Sequence, residues 1–119
     1  MRSVILKAVC RILAWILLLA ILALSIGPAS TRPITGAPQS LEHFGIFFPT
    51  GVALAIGYPL NERFLFVGLT IYCALIEVAQ MFVPTRHARW SDFAVDASAA
   101  CLGVAVVLIA KKVKPALRP

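Results

Sequence analysis

Four apolar runs, at 12–26, 41–60, 64–83 and 92–110, separated by short polar turns, leave this chain few ways to fold. A bilayer's hydrocarbon core, about 30 Å thick, needs about 20 apolar residues per helical crossing. With no water there to satisfy the backbone, each crossing must be a helix that bonds to itself. The first run is short, but with Ala8 to Cys10 included and Arg11 reaching back to the interface it attains the required length. Composition agrees: 61% of residues are hydrophobic and 13% charged, against about 25% charged in ordinary soluble domains. The expectation is an all-α membrane protein, a bundle of four transmembrane helices at about 8–27, 41–60, 64–83 and 92–110, forming a single domain over 1–119.

Details of the runs refine this picture. The first is preceded by Arg2, Lys7 and Arg11 and followed by GPASTRPITGAP, a loop composition. Its basic flank and the small residues at Gly27 to Ala29 also fit a signal peptide, although the match to a cleavage pattern is weak. Pro49 predicts a kink in the second helix. The short turn at Asn61, Glu62 and Arg63 predicts that helices two and three form an antiparallel hairpin. Asp92, at the expected start of helix four, is a candidate N-cap. Asp92, Asp96, Ala99, Ala100 and Gly103 share one face of that helix, and the small residues of that face permit close helix contact.

Several functions are disfavoured. The net charge of +6 suggests nucleic acid, but the basic residues cluster at helix ends and termini, where topology accounts for them. Cys10, Cys73 and Cys101 lie within apolar runs, so they read as packing residues and not as a disulfide framework or a metal site. Neither a metal nor a cofactor is expected, and nothing resembles an activated serine or cysteine nucleophile.

Four crossings bring both termini to one side of the membrane. That side carries eight Lys and Arg residues (Arg2, Lys7, Arg11, Arg63, Lys111, Lys112, Lys114 and Arg118) against three on the other (Arg32, Arg86 and Arg89), so it is expected to be cytoplasmic. All carboxylates except Glu62 then fall toward the outer face. There Glu42 and His43 open helix two, Glu77 and Gln80 close helix three, Arg86 and Arg89 occupy a loop, and Asp92 and Asp96 open helix four. A charged side chain at the bilayer centre costs roughly 2.5 to 3.5 kcal/mol on insertion scales, so such residues mark a partner or a function. The candidate site is accordingly an outer-face polar cluster of His43, Glu77, Gln80, Arg86, Arg89, Asp92 and Asp96. Its arginines balance the carboxylates or grip a phosphate or carboxylate.

From Glu77 to Asp92 the chain reads E-x-x-Q-x-F-V-P-x-R-x-x-x-W-x-D, with His43-Phe44 early in the preceding helix. This pattern resembles the VanZ-like membrane proteins, over about 41–103. The chain departs from them at Gln39 and Ser40, where they often carry an Asp-Lys pair, at Thr85, where they commonly carry Gly, at Asp96, where they commonly carry Asn, and at Ala99, which replaces a Gly, although Gly103 is kept. The resemblance implies a small bacterial envelope protein in the plasma membrane, in a family named after a member linked to low-level teicoplanin resistance. It implies no established reaction. The functional expectation is recognition of an anionic or lipid-linked envelope group, with membrane lipid or a lipid-linked precursor as partner, and a non-enzymatic role ahead of catalysis. Two alternatives stand beside it. One is an intramembrane enzyme using Glu77 or Asp92 with His43 as acid and base; the other is a small proton-coupled transport subunit. A homo-oligomer is compatible with four short crossings.

Overall fold

A computed structural model describes residues 2–27, 36, 38–59, 61–83 and 89–113. Four helices form, α1 (Arg2–Ile26), α2 (Gln39–Gly57), α3 (Glu62–Gln80) and α4 (Trp90–Val113), and no strand occurs among the described residues. Three of them, α1, α2 and α4, are long and apolar enough to cross a membrane. The remaining helix, α3, is 19 residues long and carries Glu62 and Arg63 at its start and Glu77 and Gln80 near its end. The outward faces are greasy: Ile5, Ile12, Ile16, Leu19, Ile71, Leu75 and Ile109 are all exposed. A surface of this kind suits lipid and not water.

The helix ends differ from expectation for local reasons. At about 1.5 Å per residue α1 is about 37 Å long, so it outruns the hydrocarbon and its first turns carry Arg2 and Lys7. The third helix starts at Glu62, two residues early, because the Asn61 side chain accepts a hydrogen bond from the Arg63 N–H at 3.0 Å and caps it. Losing such a cap costs about 1 kcal/mol. Asn61→Ala is therefore expected to lower unfolding free energy in micelles by about that amount, whereas Asn61→Asp should leave it nearly unchanged. In α2 the helix continues through Pro49. Proline deletes a backbone donor, while the Thr50 hydroxyl one residue on donates to the Ile46 carbonyl at 2.8 Å.

Packing does not follow chain order. The second helix packs most extensively on α4 and then on α1; α4 also holds α3, and α3 touches α1. Around the bundle the sequence is α1, α2, α4, α3. The expected hairpin of α2 and α3 is thus corrected: a short turn joins them, yet they sit diagonally and barely meet. What takes the place of α3 beside α2 is the small-residue face of α4. A Cβ built on Gly51 would collide with the Ala100 carbonyl oxygen, and one on Gly103 with the Phe48 carbonyl oxygen. The two backbones therefore touch directly, the arrangement that small residues permit where helices associate by packing within lipid.

Contacts at the helix ends show how the chain is oriented. Arg11 Nε donates to the Gly57 carbonyl at 2.6 Å, and its guanidinium lies over the Tyr58 ring, 5.0 Å from the centroid. Trp15 Nε1 donates to the Tyr58 hydroxyl at 2.7 Å, and Lys111 Nζ donates to the Ala55 carbonyl at 3.2 Å. The C-terminus of α2, the negative end of its dipole, is thus met by cations from α1 and α4. The start of α1 and the ends of α2 and α4 share this basic end. The start of α2, the end of α3 and the start of α4 lie at the other.

Candidate functional site

That second end holds the polar cluster. In α2, His43 is in the first turns, and in the parallel helix α4, Asp96 is in the second turn. The glycine contacts of Gly51 and Gly103 set the register between these helices, and the register brings the two side chains face to face. His43 Nδ1 and Asp96 Oδ1 lie 2.7 Å apart, within hydrogen-bond distance. Asp96 is 1% exposed, so the carboxylate is part of the core, whereas the His43 side chain is 21% exposed. Its ring stacks on Phe47, one turn on, with centroids 6.3 Å apart.

From α3 comes Glu77, buried one turn before the helix ends. One carboxylate oxygen, Oε2, accepts the backbone N–H of Arg89 at 3.0 Å, which ties the segment preceding α4 onto α3. The other, Oε1, is buried without a hydrogen-bond partner among the described residues. Such an orphan is uncommon, because buried polar atoms are nearly always paired. Asp92, Asp96 and His43 all lie within electrostatic reach of Glu77. Gln80 is buried one turn further along α3.

Of the residues predicted for the site, His43, Glu77, Asp92 and Asp96 are brought together, and Gln80 lies buried at the same end. Arg89 takes part through its backbone, and its side chain is exposed. Arg86 lies outside the described residues. The N-cap expectation for Asp92 is corrected, since α4 begins two residues earlier at Trp90, with the Asp92 and Phe93 N–H groups donating to the Arg89 carbonyl. Asp92 instead occupies the first turn, where the helix dipole favours an acid. The three cysteines are free, Cys10 and Cys73 buried. Among the described residues no group of three or more His, Cys, Asp or Glu side chains is arranged to hold a metal ion.

His43 and Asp96 stand out separately in the sequence, which does not pair them. The available signal was the small face of α4 that continues directly from Asp96, since a close parallel partner on that face must meet the acid with its own first turns. Chemically, an imidazole held by a buried carboxylate is fixed in orientation. A carboxylate with an uncommitted oxygen accepts a proton or a donor from a ligand. Set against protein-family models, curated proteins and solved structures, the chain matches none.

Proposed function

We propose that this chain is a VanZ-like protein of the bacterial plasma membrane, with α3 completing a fourth crossing and both termini cytoplasmic, that recognises an anionic or lipid-linked headgroup at its outer face. The observation that carries the reading is the convergence of His43, Glu77 and Asp96 from three helices, at the end opposite the basic one. Of the described Lys and Arg residues, Arg2, Lys7, Arg11, Lys111 and Lys112 lie in the first turns of α1 and the last turn of α4, and Arg63 at the start of α3, whereas Arg89 stands alone at the polar end. That asymmetry supports a cytoplasmic basic end. In this reading Arg86 and Arg89 contact the anion by bidentate hydrogen bonds. Glu77, Gln80, His43 and Asp92 order the pocket beneath. Titrating the purified protein with anionic phospholipids and lipid-linked wall precursors tests it. Replacing both arginines by alanine is expected to weaken the preferred ligand about tenfold or more; unchanged affinities for every ligand refute it.

The His43–Asp96 pair supports a second reading, acid/base chemistry on an envelope substrate, with Glu77 as the proton acceptor. Under that reading, folded His43→Ala and Glu77→Gln variants alter the lipid or wall profile of cells. Profiles identical to wild type eliminate it.

A further inference from the structure

The basic end of the bundle carries an excess of positive charge that the chain's own carboxylates do not offset. All five Asp and Glu residues lie in described helices, and Glu42, Glu77, Asp92 and Asp96 sit at the polar end. Only Glu62 stands at the basic end, exposed, on the helix diagonal to α2. The cations there are also arranged. Lys7, Arg11 and Trp15 follow at intervals of four along one face of α1. That face meets the end of α2, since Arg11 and Trp15 bond to Gly57 and Tyr58, and a Cβ on Gly57 would strike the Arg11 backbone nitrogen at 2.9 Å. From α4, Lys111 reaches the Ala55 carbonyl and lies within electrostatic reach of Lys7. Three cations from two helices thus surround the last turn of α2. The dipole of α2 accounts for Arg11 and Lys111, which donate to its carbonyls, and leaves Lys7 without a counterpart among the described residues.

We infer that this end binds an anionic phospholipid, its phosphate held between Lys7 and Arg11 of α1 and Lys111 of α4, over the end of α2. The site is opposite the polar cluster and does not rest on headgroup recognition there. Among the described residues the Arg11 guanidinium commits only Nε, to Gly57, and its terminal nitrogens match a phosphate. The surroundings select lipid over a soluble anion. Because Arg11 is level with Gly57, residues 2–10 of α1 project about 13 Å past the end of α2. On that projection Val4, Ile5, Leu6 and Val9 are exposed, interleaved with Arg2 and Lys7. Such a surface suits the headgroup layer, where long basic side chains reach phosphate while apolar neighbours stay among acyl chains. Basic pockets between membrane helices take anionic headgroups in this way.

The test uses the full chain in vesicles with Trp90→Phe, which removes the tryptophan of the polar end and leaves Trp15, bonded to Tyr58 beside the site, as the reporter. Its fluorescence is read in mixtures of phosphatidylglycerol and phosphatidylcholine in which one lipid or the other carries brominated, quenching chains. Phosphatidylglycerol is expected to compete for contact with Trp15 about tenfold better than phosphatidylcholine, the scale of one charge-assisted hydrogen bond. Lys7→Gln, which breaks no hydrogen bond among the described residues, is expected to lower that ratio about fivefold, the share of one lysine near a membrane surface. Arg2→Gln removes the same charge from the same helix and is expected to leave the ratio nearly unchanged. Equal quenching by the two lipids in the Trp90→Phe chain overturns the inference without recourse to a charge variant. So does an equal fall in the Lys7 and Arg2 variants, which means diffuse attraction with no built site. Loss of the preference in millimolar inorganic phosphate, at constant ionic strength, overturns the lipid assignment in favour of a free anion.

Discussion

Gly103→Leu is expected to abolish the packing of α2 on α4 and to destabilise the bundle by about 3 kcal/mol or more, at the upper end of what overpacking costs. The reason is the kind of atom in the way. At Gly103 a new Cβ meets the Phe48 carbonyl oxygen and the Val52 nitrogen, and at Gly51 it meets the Ala100 carbonyl. These are backbone atoms of helices, which cannot rotate aside as a side-chain tip can. The contacts are also reciprocal, with each helix offering its glycine to the other's main chain, so sliding one helix along its axis relieves neither. Gly51→Ala should act in the same direction with a smaller effect. Gly68→Ala is the internal control, since nothing lies within 4 Å of its built Cβ; it should be neutral or stabilising by up to about 1 kcal/mol. Unfolding free energies in mixed micelles measure all three. Equal stability of the Gly68 and Gly103 variants contradicts the close contact.

The same glycines explain how much of this molecule is legible in its sequence. The number of helices follows from the lengths of apolar runs, because hydrocarbon thickness and backbone satisfaction admit little else. The small face of α4 is equally plain from Asp96, Ala99, Ala100 and Gly103. Partner choice is not. In lipid every helix is apolar nearly all round, so the one-sided patterning that orients helices in water is weak, and a short loop such as 58–61 suggests an α2–α3 neighbourhood that packing rejects. Gly51 decides the matter, and within the sequence it looks no different from Gly45, whose built Cβ meets nothing within 4 Å. The site shows the same division. That Glu77, His43 and Asp96 share one end follows from counting crossings, but the pairing of His43 with Asp96, and not with Asp92 or Glu77, depends on the register between two parallel helices. The basic end contains a comparable surprise, for Arg11 and Trp15 converge on Gly57 and Tyr58 across 46 and 43 residues of chain respectively.

Replacing Asp96 by alanine is expected to cost about 3 kcal/mol, the scale found when one partner of a buried charged pair is removed. Asp96 is among the largest fully buried side chains, together with Val104, Thr50 and Cys73, so its loss leaves both a void and an imidazole without its 2.7 Å partner. A double-mutant cycle with His43→Ala separates the two contributions. The void remains in the double variant, while the pairing energy cancels, and a coupling of about 2 kcal/mol is expected for a charge-assisted bond of this geometry. Asp96→Asn then divides hydrogen bonding from charge, because the amide keeps an oxygen for Nδ1–H. If the pair serves mainly to hold His43 in place, the asparagine variant retains most of the stability. A coupling near zero in the cycle would mean that His43 and Asp96 are neighbours without being partners, and the site would then rest on Glu77 alone.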